Sequence, residues 1–271
     1  MTTQELSVRI RKDTLFGTLI VSTSPRWPAT VAGLGLDFVF LDTEHIALDR
    51  HELSWMCQAY GALGLPPIVR VSSPDPYLAT MALDGGAAGI VAPYVETVEQ
   101  VQALRGAVKC RPIKGRVLEE HLSGKVPFAG DLKEYVQRSG TARSLIVNIE
   151  SIPAIENLDA ILAVPDLDAV LIGPHDLSCN LGVPEQYNHP RFEEACRTIF
   201  RKARAVGIGA GVHSFYGDVA QEISWINETG ANLIIHSADI VAFAKGMSAD
   251  VSRMRNASKT NRQVTRETIN I

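Results

Sequence analysis

Two acids and an imidazole crowd the end of an apolar run in "FVFLDTEH" (38–45): Asp42, Glu44 and His45. Such groups are costly to bury, so they mark either a solvated turn or a reactive site. The pattern recurs along the chain. Arg70 closes "PPIVR", Glu150 ends "LIVNIE", and "GPHDLS" carries His175 and Asp176. His213 ends "GIGAGVH", while His236, Ser237 and Asp239 follow "NLII". Each time, an apolar run of strand length hands over to a charged or imidazole side chain.

The residue types suggest specific chemistry. Glu150 and Asp176 end successive runs. On neighbouring strands, ~5 Å apart, both carboxylates can meet one ion. Two carboxylates with water or substrate oxygen suit a hard divalent cation, Mg2+ or Mn2+. Each could instead cap a helix, starting near Pro153 or in "DLSCNLG". Arg70 can hold a carboxylate or enolate oxygen in a fork, or pair structurally with Asp42 or Glu44. Asp42 can orient His45 and favour its protonated form, making a general acid/base pair. The plainer alternatives are a turn cap and a surface histidine. His213 and His236 fit ligand, substrate-contact and core roles alike, whereas His51, His121 and His189 are expected to face solvent. A phosphate site at the glycines of "GIGAGVHS" would need a second glycine loop after the last strand, and "IIHSADIVAF" does not supply one.

These residues need elements to position them. Strands are expected at 15–21, 38–42, 67–71, 89–95, 145–150, 169–174, 207–213 and 232–237. The runs are nearly continuous in Val, Ile and Leu, as parallel strands covered on both faces should be. Helical patterns at 49–63, 74–86, 97–108, 152–163, 190–207, 218–230 and 239–255 lie between or after them. This rhythm predicts a (β/α)8 TIM barrel. A doubly wound open sheet would need a glycine-rich phosphate loop after an early strand, which is missing. The barrel domain is expected over 1–256, with a polar, basic insertion at about 109–143 and a polar tail over 257–271. Emerging near the C-terminal face, the insertion would be a lid, a subunit contact or a passive surface loop. In a barrel the polar residues gather on one rim, so "DTEH" is one arc of a ring.

Bulk properties narrow the function. A hydrophobic share of 46% supports a sizeable core, and a net charge of −4 argues against nucleic acid as a partner. No apolar run reaches the ~18–20 residues needed to span a bilayer, and "MTTQELSVRIRKD" holds no apolar signal core. Cys57, Cys110, Cys179 and Cys196 form no CxxC pair. A reduced, cytoplasmic protein without membrane contact is expected.

In order along residues 14–250, "FVFLDTEH", "PPIVRV", "GIVAPYVETVEQ", "VNIESIPAIENLDAIL", "LIGPHDLSCNLG" and "GANLIIHSADI" resemble the HpcH/HpaI aldolase family of class II pyruvate aldolases. The resemblance implies a barrel of the phosphoenolpyruvate/pyruvate type. It implies a divalent metal on Glu150 and Asp176, with Mg2+ or Mn2+ preferred and Co2+ as an alternative. It gives Arg70 the pyruvate carbonyl or enolate oxygen, and Asp42 and His45 proton transfer. It places the pyruvate carboxylate at backbone amides near Gly173, Pro174 and His175. It also implies a homo-oligomer, hexameric or dimer-based. The chain departs from the pattern at His175, where a small residue is frequent, and at Asn148, where a glutamine is often seen. Only "IKGRV" is left of a usual glycine-rich run. These changes leave the acceptor aldehyde open.

The expected reaction makes or cleaves 4-hydroxy-2-oxo acids, with pyruvate enolate and an aldehyde as the pieces. The alternatives are a C–C, ester or thioester lyase or synthase on a small dicarboxylate at the same metal site, and a non-catalytic barrel that binds a small acid.

Overall fold

The computed structural model describes residues 1–258. Eight parallel strands close into a barrel in chain order. They are β1 (Leu15–Leu19), β2 (Phe38–Asp42), β3 (Pro67–Arg70), β4 (Gly89–Ala92), β5 (Ser144–Asn148), β6 (Ala169–Ile172), β7 (Gly209–Ser214) and β8 (Leu233–Ala238). Closure comes from β8 pairing with β1. The architecture is a TIM barrel, as the alternating rhythm predicts.

Strand alternation splits the core in two. Leu15, Leu19, Phe38, Phe40, Ile68, Val91, Ile146, Leu171, Leu233 and Ile235 fill the barrel. Their neighbours Val39, Leu41, Val69, Ile90, Val147, Val170 and Ile172 pack outward against the helices. Both faces of each strand are thus apolar, which explains the unbroken runs. The helix Thr3–Arg9, capped by Thr2 and Glu5, adds Leu6 and Ile10 to the inner cluster. Asn232 ties that segment down by donating Nδ2–H to the Ile10 and Asp13 carbonyls.

The insertion forms two helices, Gly115–Leu122 and Gly130–Gly140. It follows the return helix Val98–Lys109 and precedes β5, so it leaves from and rejoins the N-terminal mouth of the barrel. Leu118 and Leu122 lie against Gly106, and Ser7 Oγ donates to the Thr141 carbonyl at 2.7 Å. The expectation that it emerges beside the C-terminal face is therefore corrected: a βα unit's helix carries the chain back to the opposite end. Of the expected tail over 257–271, residues 257 and 258 end the helix Asp239–Ser258 and the remainder lies outside the described residues. No helix among the described residues is long and apolar enough to cross a membrane.

Candidate active site

Strand register assembles the first half of the site. Asp42 and Arg70 are direct partners across β2 and β3. Arg70 donates Nε–H to Asp42 Oδ1 at 2.8 Å and Nη2–H to Oδ2 at 2.6 Å, a two-pronged fork. Glu44 Oε2 lies 3.2 Å from the same Nε. Burial pushes the Asp42 carboxyl up, but the Arg70 hydrogen bonds and charge outweigh it and hold it below the usual carboxylate range. Burial likewise opposes the Arg70 charge, and Asp42 more than restores it. Burial raises Glu44.

The fork revises one expectation. Asp42 does not grip the His45 imidazole. Its oxygens accept from the backbone N–H of Glu44 at 3.0 Å and of His45 at 3.4 Å. The acid nearest the His45 ring is Glu44, with Oε2 3.7 Å from Nε2. Asp42 thus fixes the loop that carries His45 and the charge of Arg70, and the half-exposed ring is free to meet substrate.

The second half lies at the ends of β5 and β6. Glu150 is 1% exposed. Its Oε1 accepts from the Tyr94 N–H at 2.8 Å and its Oε2 from Asn148 Nδ2 at 3.0 Å. Asp176 sits in the first turn of the helix Pro174–Asn180, where its Oδ1 accepts from the Tyr94 hydroxyl at 3.0 Å. Tyr94 therefore bridges the two carboxylates, one with its backbone and one with its phenol. It does so with φ 46, a left-handed conformation that costs a non-glycine residue energy. Sequence reasoning missed Tyr94, because nothing in "APYV" announces positive φ. Gly173 is required here, since a Cβ on it would collide with Glu150 Oε2. Pro174 has no N–H, so of the expected amide donors in that segment it supplies shape only.

Burial, with Asp176 nearby, pushes the Glu150 carboxyl up to about 7 despite the Tyr94 N–H. Neither Glu150 nor Asp176 makes an ion pair within 4.0 Å among the described residues. A buried carboxylate with amide partners but no adjacent cation fits a divalent ion, which would supply the missing charge. Among the described residues no cluster of three or more His, Cys, Asp or Glu side chains could hold a metal. A two-carboxylate site leaves its other positions to water and substrate oxygen, the donor set of a hard cation.

Beside these groups opens a cavity of about 220 Å3, lined by Leu19, Asp42, His45, Arg70, Gly173, Pro174, His175, Asp176, His213 and Phe215. It unites the expected catalytic and substrate residues with Asp176, and Glu150 lies buried next to Gly173. His175 stands at the mouth with Nδ1 3.8 Å from Glu185 Oε1. His236 turns aside to Glu222, with contacts of 2.8 and 2.9 Å to Nδ1. His213 joins the cavity wall.

The profile of the HpcH/HpaI aldolase/citrate lyase family matches residues 16–240. The 2-keto-3-deoxy-L-rhamnonate aldolase of Shigella boydii serotype 4 is 27% identical over 256 residues, covering 94% of each chain. The crystal structure of an HpcH/HpaI aldolase from Desulfitobacterium hafniense superposes with a TM-score of 0.79 at 26% identity, covering 94% of this chain and 97% of that one. The fold alone extends to a phosphonopyruvate hydrolase in complex with oxalate and Mg2+, at 13% identity and a TM-score of 0.59, covering 97% of this chain and 90% of that one.

Proposed function

The chain belongs to the HpcH/HpaI aldolase/citrate lyase family and is by homology a class II pyruvate aldolase, a carbon–carbon lyase; on that premise we propose which residues perform the reaction. The observation that carries the reading is the buried Glu150, without an ion-pair partner and near enough to Asp176 and Arg70 to feel both charges. Glu150 and Asp176 would hold a divalent ion, Mg2+ or Mn2+, which would supply Lewis acidity for the charge that grows on the 2-oxo oxygen.

The chain's own residues do the rest. Asp42 occupies Nε and Nη2 of Arg70, which leaves Nη1 for the oxygen of substrate. The fixed guanidinium stabilises the developing enolate charge without reorganising. In cleavage, His45 takes the proton of the 4-hydroxyl. The O–H electron pair becomes the second bond of the aldehyde carbonyl, the C3–C4 bond breaks, and its pair passes onto pyruvate enolate. A proton delivered to C3 completes pyruvate. The reverse sequence joins pyruvate to an aldehyde.

The reading is tested by NMR of pyruvate in D2O with the protein and Mg2+ or Mn2+. Loss of the methyl proton signal that stops on adding EDTA is expected. Intact methyl protons at every metal concentration would overturn it.

A homo-oligomer belongs to the same proposal. The helix Asp239–Ser258 buries only Asp239, while Phe243, Met247 and Met254 are 61%, 49% and 62% exposed. Apolar groups so arranged along one helix favour burial against another copy. Light scattering should give a mass above that of one chain, and Phe243→Asp should lower it.

A further inference from the structure

Of the four cysteines, Cys57, Cys110 and Cys196 are buried and Cys179 is exposed. Cys179 lies in the helix Pro174–Asn180, four residues after His175. Residues four apart share a helix face, and here the two side chains meet: Cys179 Sγ is 4.0 Å from His175 Nε2. Leu177 and Ser178, on the other face, are buried. An imidazole and a thiol thus stand together where solvent reaches both.

The imidazole is held as a metal ligand needs. Glu185 Oε1 lies 3.8 Å from its other nitrogen, Nδ1. The carboxylate favours the proton on Nδ1 and leaves the Nε2 lone pair toward the sulfur. A carboxylate behind the ring is the usual support of a metal-bound histidine. Glu185 is itself fixed. Its N–H donates to Ser178 Oγ at 3.0 Å, and that hydroxyl donates to the His175 carbonyl at 2.8 Å. One hydroxyl ties the loop that carries the acid to the turn that carries the imidazole.

Donor chemistry identifies the ion. Imidazole nitrogen and thiolate sulfur select soft or borderline cations, whereas the oxygens of Glu150 and Asp176 select hard ones. With Zn–N of ~2.0–2.1 Å and Zn–S of ~2.3 Å, a tetrahedral ion sets two such donors ~3.6 Å apart. The 4.0 Å observed needs a small closing rotation of either side chain. We infer that His175 and Cys179 form a second metal site, for Zn2+ or a like soft cation, with water completing the shell. The Cys179 thiol gives its proton to solvent as the sulfur–metal bond forms. His175 also lines the cavity beside Asp176, so an ion held there stands at the entrance and slows the passage of substrate. The site stands apart from the aldolase reading; the slowing rests on it.

The test titrates Cd2+, whose bond to thiolate absorbs in the ultraviolet, into protein kept in excess Mg2+ so that the carboxylates are already served. The wild type should show a thiolate-to-cadmium band that saturates at one ion per chain. Cys179→Ser should show none, and His175→Ala should need ~10-fold more Cd2+ or higher for half-saturation. No band in the wild type, a band that survives in Cys179→Ser, or a midpoint unmoved in His175→Ala would each overturn the site. In the same Mg2+, Zn2+ should slow pyruvate exchange in D2O by the wild type at concentrations that leave Cys179→Ser at its full rate. Equal slowing in both overturns the role at the entrance. Wild-type protein that does not exchange at all removes the aldolase reading and that role with it, while the cadmium band still decides the site.

Discussion

The β5–β6 pair has one buried acid at each mouth of the barrel, Asp168 and Glu150, and the two are treated differently. At the N-terminal mouth, Asp168 is matched. Lys109 Nζ lies 2.6 Å from its Oδ2, Arg11 Nε lies 3.2 Å from its Oδ1, and the Leu145 N–H donates to it at 2.7 Å. At the C-terminal mouth, Glu150 and Asp176 have amide and phenol donors but no ion-pair partner within 4.0 Å. The first cluster is electrically closed and holds the barrel together. The second is left open on the acidic side, which is where the proposed cation would sit. Such a difference is what would separate a structural ion pair from the proposed cation site.

Breaking each end should fail differently. Asp168→Ala strands the Lys109 charge and should cost about 3–5 kcal/mol of stability, read by urea unfolding, while KM for pyruvate stays close to wild type. Arg70→Ala should do two things at once. It strands buried Asp42, at a similar cost in stability, and lowers turnover by ~10²–10³. A variant with full activity would remove Arg70 from the mechanism.

Glu150→Gln should also lower turnover by ~10²–10³, yet it should stabilise the metal-free protein at neutral pH. Glu150 holds its proton more tightly folded than unfolded, moving from 4.5 to about 7. The metal-free wild type therefore loses stability as pH rises through that window, by about 3 kcal/mol, and Glu150→Gln should flatten the profile. A wild-type melting temperature that climbs between those pH values would contradict the assignment. The smallest expected effect is at Tyr94. Tyr94→Phe removes the hydroxyl that orients Asp176 and should weaken Mn2+ binding about tenfold, measured by calorimetry.

The same comparison shows what a sequence reveals. The strand starts and ends fall within a few residues of the expected ones, because strands buried on both faces write themselves as unbroken apolar runs. That Glu150, Asp176, Arg70 and His45 share a rim follows from strand polarity in a barrel. Whom Asp42 pairs with does not follow from spacing. It depends on β2–β3 register, which sets Asp42 opposite Arg70 and outcompetes His45, three residues away. The Tyr94 bridge depends on a backbone angle and the helices of the insertion on a path around the barrel. The backbone angle leaves no local mark. Glycines at 115, 124, 130 and 140 also disguise the insertion as loop, although Val117, Leu118 and Leu122 carry helical spacing.

The most direct measurement is the number of Mn2+ ions bound per chain, by electron paramagnetic resonance, in the wild type and in the Glu150→Gln/Asp176→Asn double variant. One ion in the wild type and none in the folded double variant is the predicted result. Unchanged Mn2+ binding in the double variant would show that the open end of the barrel is not where the cation sits.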